Sequence, residues 1–174
     1  MQIITGEATE ALRLLPSGCC STCVTSPPYY GLRNYGEAGQ IGLEETPEEY
    51  TWRLVEVFRE VRRVLKDDGT LWLNIGDSYA ASRKGRNRNG LFNEKAENIQ
   101  SSGQRKSLIR RTCEGNGLKR KDLIGIPWLL AFALRSDGWY LRADIIWHKP
   151  NAMPESVKDR PTRAHEYIFL LSKS

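Results

Sequence analysis

The residues of this chain best suited to chemistry lie together at Ser26, Pro27, Pro28 and Tyr29, within the stretch TSPPYYGLRNYG. A serine hydroxyl and a proline-flanked carbonyl are both hydrogen-bond acceptors, and proline has no N–H with which to compete. Two adjacent prolines fix the direction of those acceptors with little conformational entropy left to lose. Tyr29 adds a ring on which a flat ligand can stack, an interaction worth roughly 1–3 kcal/mol for a nucleobase. The set suits a flat, neutral ligand with an exocyclic amino group. Two acceptors holding the NH2 hydrogens favour a pyramidal nitrogen whose lone pair can attack a methyl sulfonium placed in line. That is catalysis by positioning and electrostatics, without a strong base. A base inside a duplex would have to be flipped out to reach such a site.

The neighbouring elements must hold this loop in place. Residues 19–24 (CCSTCV) are short and rich in strand formers, and Pro27 and Pro28 end any ladder there, so the loop sits at a strand end. In open α/β sheets, ligands bind at such ends. Before it, residues 2–5 read as a short β segment. Residues 7–15 read as an amphipathic helix with Ala8, Ala11, Leu12 and Leu15 on one face, ended by Pro16-Ser17-Gly18. Thr46-Pro47-Glu48-Glu49 is a capping box opening a helix whose apolar stripe runs from Tyr50 to Leu65, and Asp68-Gly69 is the expected stop. Residues 70–75 form a strand that Gly76-Asp77 breaks. A helix over 127–136, a strand over 139–148 stopped by Lys149-Pro150, a polar loop and a final strand over 164–171 complete the pattern. Alternating helices and strands make the chain α/β, with neighbouring parallel strands joined by a crossover.

Charge is segregated. Residues 82–121 hold twelve Lys or Arg against three acids, a local +9 in a chain of net +5, so the remainder is mildly acidic. Arg83, Lys84, Arg86, Arg88, Arg105, Lys106, Arg110, Arg111, Lys119, Arg120 and Lys121 are candidate phosphate contacts for a nucleic acid. The bland alternative is a solvated loop. The segment reads as a polar, basic insertion within the domain.

Other signals point to less. Cys20-Ser-Thr-Cys23 is formally a CxxC, but Cys19, Cys113, His148 and His165 are too scattered to complete a zinc site, and small thiols packed in a buried strand are expected. No metal is expected. Gly36, Gly39 and Gly42 neither follow a strand nor open a helix, which argues against a phosphate loop. His165-Glu166 reads as structural. With 40% hydrophobic and 27% charged residues, no apolar run of about 20 and no basic-then-apolar leader, the expectation is a cytoplasmic protein without membrane partners.

TSPPYYGLRNYG resembles the catalytic motif of the DNA amino-methyltransferases, Ser/Asp/Asn-Pro-Pro-Tyr/Phe. GEATEALRLLP, GTLWLNIGDSYA and DIIWHKPNAMPESVKDRPTRAHEYIFLLSKS are similar to other segments of the same family, in the same order, and the resemblance runs over nearly the whole chain apart from the basic insertion. The resemblance implies a Rossmann-like methyltransferase sheet, S-adenosylmethionine as methyl donor and double-stranded DNA as partner. Ser26, Pro27 and Pro28 would hold the target amino group and Tyr29 would stack on the base. Serine before the prolines leans toward cytosine over adenine. The family's Gly-Asp contact to the cofactor adenosine corresponds here to Gly6-Glu7. Thr25 and Asp77 lie at strand ends near the same cleft, Asp77 with turn capping as the alternative. The order resembles the permuted arrangement in which the catalytic half precedes the cofactor's glycine-rich loop, and Ser174 falls before any such loop. The expectation is therefore one incomplete catalytic domain over 1–174 with an unpaired sheet edge, completed by a second chain or by self-association. The other readings are a DNA-binding remnant without activity and a half that needs a partner polypeptide.

Overall fold

The computed structural model describes residues 3–80, 117–119, 121–152 and 158–174. Seven elements follow one another: α1 (Ala8–Arg13), β1 (Cys20–Thr25), α2 (Pro47–Val64), β2 (Leu65–Ile75), α3 (Ile126–Ser136), β3 (Tyr140–His148) and β4 (His165–Ser172). The strands form one mixed sheet in the order β1-β2-β4-β3, with β1 and β2 parallel and the other two pairs antiparallel.

α2 forms as its sequence dictates. Thr46 Oγ accepts from the Glu49 N–H at 3.1 Å, and Pro47 stands at the first helical position, where its missing N–H costs nothing. The Glu49 carboxylate reaches back to the Glu45 N–H, one residue before the cap. The stripe of Tyr50, Leu54, Val55, Phe58, Val61 and Val64 is buried. It packs with α3 against Leu71, Leu73 and Ile75 of β2 and Phe169 and Leu171 of β4, which form the core.

Three expectations are corrected. Residues 3–5 form no strand, and α1 is shorter than expected, with none of its residues fully buried. α2 ends at Val64 rather than at Asp68-Gly69. Leu65 already pairs with Cys20, whereas Thr70 pairs with Thr22, so residues 66–69 loop out of the ladder as an excursion within β2. The cysteine strand is not buried: β1 is an edge strand, Cys19 is exposed, and Cys20 and Cys23 are half-buried free thiols. Cys113 and most of the basic segment, including Arg83, Lys84, Arg86, Arg88, Arg105, Lys106, Arg110, Arg111 and Arg120, lie outside the described residues.

Strand alternation places Cys23, Leu71, Leu73, Phe169 and Leu171 toward the helices. The same register places Val24, Trp72, Asn74, Ile168, Leu170, Ile145 and Trp147 on the other face. That face is open among the described residues, with Val24 76% and Trp147 49% exposed. No helix of the described chain is long and apolar enough to cross a membrane.

Candidate active site

The proline loop leaves β1 at Thr25, at the carboxyl end of a strand paired in parallel with β2. The three carbonyls after Pro27 each have a donor. The Tyr50 hydroxyl of α2 donates to the Pro28 carbonyl at 2.8 Å, and the Leu32 N–H donates to the Tyr29 carbonyl. Ser78 Oγ donates to the Tyr30 carbonyl at 3.0 Å. Tyr30 is buried against Tyr50, their ring centroids 5.4 Å apart, and its hydroxyl donates to the Glu45 carbonyl. Burial pushes the Tyr50 phenol far up, so it remains a donor at any working pH.

Two glycines make room for the loop. A Cβ on Gly42 would stand 3.1 Å from the Tyr29 carbonyl oxygen, and Gly42 has φ +103°. A Cβ on Gly76 would stand 2.6 Å from Tyr29 Cε2, so the tyrosine ring rests directly on the backbone that follows β2. The Gly36–Gly39–Gly42 spacing therefore belongs to a turn that seats the proline loop. Arg53 of α2 anchors this turn through the Gly39 carbonyl at 2.6 Å and the buried Glu44 carboxylate at 2.8 Å, and Glu44 in turn accepts from the Gly42 N–H.

These restraints leave one acceptor unspent. The Pro28 carbonyl is consumed by Tyr50, but no described residue donates to the Pro27 carbonyl. Ser26 is exposed, and its hydroxyl lies 3.4 Å from the Tyr29 hydroxyl. The hydroxyls of Ser26 and Tyr29 thus lie side by side.

Sequence reasoning missed the far side of Tyr29. Its hydroxyl bonds to Asn74 Oδ1 at 2.9 Å and Glu166 Oε2 at 3.1 Å. Asn74 Nδ2 also donates to Glu166, and Lys149 Nζ pairs with the other carboxylate oxygen. Partial burial works to raise the Glu166 carboxyl, but its bonds from Lys149, Asn74 and Tyr29 outweigh that and hold it below the usual carboxylate range. Burial, with Glu166 alongside, pushes the Tyr29 phenol up. The available signal was an asparagine inside the apolar run LWLNI and a glutamate opening an otherwise apolar strand. His165-Glu166 reads as structural from the sequence, and in the fold Glu166 bonds to Tyr29, Asn74 and Lys149.

The remaining candidates are dispersed. Asp77 Oδ1 accepts from the N–H groups of Ser78, Gly125 and Ile126 at 2.8–3.0 Å, and its side chain is only 2% exposed. It caps α3, whose N-cap position, Gly125, has no side chain to do so. Turn capping, the alternative for Asp77, is what the geometry displays. Glu7 caps α1 by accepting from Glu10 N–H and Thr9 Oγ. Burial works to raise its carboxyl, but the bonds from Glu10 and Thr9, with the charge of Arg13, together outweigh that and keep it below its ordinary value. No contact joins Glu7 to the proline loop among the described residues. Thr25 is half-buried at the end of β1. Lys119 is exposed, and Lys121 is paired with Asp159. A separate depression lined by Arg59, Arg62, Arg63, Asp137 and Lys173 lies at the opposite end of β4 from Glu166. Its cations are largely spent on backbone carbonyls and carboxylates.

A Ser-Pro-Pro-Tyr loop at the end of a parallel strand pair, inside a mixed α/β sheet, agrees with the methyltransferase sheet that the resemblance implies. The chain belongs to the DNA methylase family, whose pattern matches residues 20–174. It is 58% identical over 172 residues to the Type II methyltransferase M.SmaI of Serratia marcescens, covering 99% of this chain and 56% of that protein. It is 55% identical to M.Cfr9I of Citrobacter freundii, covering 97% of this chain and 53% of that protein. The chain thus spans about half the length of these relatives. Among solved structures, a DNA modification methylase from Thermus thermophilus, complexed with S-adenosyl-L-methionine, superposes with a TM-score of 0.58 at 25% identity. That match covers 96% of this chain and 51% of the other. The cytosine-N4-specific PvuII DNA methyltransferase shares the fold with a TM-score of 0.60 at 18% identity, over 97% of this chain and 48% of its own.

Proposed function

We propose that this chain is the base-handling part of a DNA methyltransferase that moves a methyl group from S-adenosylmethionine to the exocyclic amino group of a flipped cytosine, with adenine as the less favoured target. The observation that carries the reading is the unspent Pro27 carbonyl beside the Ser26 hydroxyl, on a loop whose next carbonyl Tyr50 already holds. Both are acceptors, and an amino group offers two hydrogens. The Tyr29 ring, held against the Gly76 backbone, would stack on the base.

S-adenosylmethionine would supply an electrophilic methyl on sulfur. The described residues fit the amino-group side of the reaction better than the donor side. Asp77 Oδ1 is taken up by Ser78 and the start of α3, and Oδ2 lies 3.9 Å from Arg163. Glu7, exposed and ionised, suits a hydroxyl-bearing ribose, and Thr25 borders the loop. The basic segment over 82–121 would run along the phosphates of double-stranded DNA. The apolar open face and the β1 edge favour completion of the sheet by further polypeptide, in cis or from a second chain.

The test is calorimetric titration of the 174-residue chain with S-adenosylmethionine and a labelled-methyl transfer assay on duplex DNA. Both are run on the chain alone and with the uncovered segment of the Serratia relative added as a separate polypeptide. Transfer to cytosine N4 in either preparation is the expected result. DNA binding without transfer in both would favour the non-catalytic remnant instead.

A further inference from the structure

We propose that Glu166 is the terminal acceptor of the proton that the target amino group loses, reached through Ser26 and Tyr29; the inference rests on the methyl-transfer reading above. The hydroxyl of Ser26 lies 3.4 Å from that of Tyr29, which lies 3.1 Å from Glu166 Oε2. These three groups make a donor-to-acceptor path from the exposed end of the proline loop to a half-buried carboxylate, with Asn74 Oδ1 at 2.9 Å as a second acceptor for the Tyr29 hydroxyl. Lys149 on Oε1 and Asn74 Nδ2 at 3.2 Å on Oε2 hold that carboxylate in place. Asn74 is itself fixed by a bond to the Tyr167 carbonyl. A stacking ring alone does not call for this arrangement, since a phenylalanine would stack as well.

The chemistry balances. The amino nitrogen uses its lone pair to form the N–C bond, and the C–S bond breaks with its electron pair left on sulfur. The methylated nitrogen is then cationic and must shed a proton. The Pro27 carbonyl can accept a hydrogen bond from it but has no proton of its own to pass on. Ser26 Oγ takes the proton while releasing its own to the Tyr29 oxygen, which releases its own to Glu166 Oε2. One cationic sulfonium and one carboxylate become a neutral thioether and a neutral carboxylic acid, and Glu166 later returns the proton to water. Each hydroxyl ends as it began. A carboxylate held ionised by Lys149 is a weak base, and a weak base suffices for a strongly acidic alkylated amino nitrogen.

Among the described residues, few groups face Glu166. Trp147 of β3 stands opposite it in the ladder, and Lys149 follows that strand. Asn74 comes from β2 and Tyr29 from the loop. The next register pair, His148 with His165, alternates to the other face.

The test compares Tyr29→Phe, Glu166→Gln, their double variant and Glu166→Asp in the transfer-competent preparation. Tyr29→Phe and Glu166→Gln should each slow single-turnover transfer about 10²-fold. The double variant should be no slower than either single one, because the residues act in one path. DNA affinity should be unchanged. The wild-type rate should fall at low pH with a carboxylate midpoint that Glu166→Asp keeps and Glu166→Gln loses. Independently of turnover, the ζ-carbon resonance of isotope-labelled Tyr29 should titrate with that same midpoint in the wild type and not in Glu166→Gln. Wild-type rate and pH profile in Glu166→Gln would overturn the relay while leaving the methyl-transfer reading standing, since the amide oxygen still holds Tyr29. A wild type that transfers no methyl to any DNA would overturn that reading, and the relay with it.

Discussion

At the scale of single residues, the site works by what each polar atom has left to give. Tyr50 donates its hydroxyl to the Pro28 carbonyl, which steadies the loop and leaves Pro27 as the open acceptor. Tyr50→Phe should cost about 1–3 kcal/mol in urea denaturation, because a half-buried carbonyl loses its partner. Glu166 ties folding to pH. Its carboxyl lies below the ordinary range in the folded chain, so its contribution to stability is complete above the unfolded value of about 4.3 and is lost as pH falls through the lowered folded value. The gap in urea midpoint between wild type and Glu166→Gln should therefore hold steady from about pH 7 to about pH 5.5 and close at lower pH. A gap that widens on acidification would mean that another group dominates.

At the scale of elements, the loop is shaped by what flanks it. α2 supplies Tyr50 and Arg53, one for the loop and one for the turn beneath it. The end of β2 supplies Asn74 and the bare backbone of Gly76. Gly76→Ala would push a methyl into the Tyr29 ring. It should cost roughly 1–3 kcal/mol of stability and at least as much transfer activity as Tyr29→Phe, since it displaces the hydroxyl as well as the ring. Activity closer to wild type than Tyr29→Phe would mean the ring need not rest there. Asp77→Ala leaves two N–H groups at the start of α3, those of Gly125 and Ile126, and the N–H of Ser78 without their acceptor and should lower the melting temperature, with Asp77→Asn recovering part of the loss because it keeps an acceptor oxygen.

At the scale of the whole molecule, the basic segment and the open sheet face would take partners of different kinds. The basic segment should make DNA affinity strongly salt-dependent. Replacing the four basic residues Arg83, Lys84, Arg86 and Arg88 by glutamine should reduce the slope of log affinity against log salt by about 0.9 per phosphate contact removed. An unchanged slope would mean these charges touch no phosphate. The open sheet face carries Val24, Trp72 and Trp147 into solvent. Binding of a hydrophobic dye by the isolated chain should drop when the complementary polypeptide is added, as that face is covered.

What the sequence by itself determined is mostly local. Thr46-Pro47-Glu48-Glu49 specifies where α2 begins, Pro27 and Pro28 specify where β1 must stop, and two-residue alternation sets the strands, because caps, proline and periodicity act over a few residues. The family was legible for the same reason, since its motif is four adjacent residues. The excursion at residues 66–69 was not legible, because its cause is the pairing of Leu65 with Cys20 far away in the chain. Nor was the exposure of the cysteine strand, which depends on its place at the sheet edge. The partners of Tyr29 belong to the same class: Asn74 lies 45 positions along the chain and Glu166 lies 137. Only the order β1-β2-β4-β3 brings the start of β4 beside the end of β2, and so sets a carboxylate against the tyrosine of the proline loop.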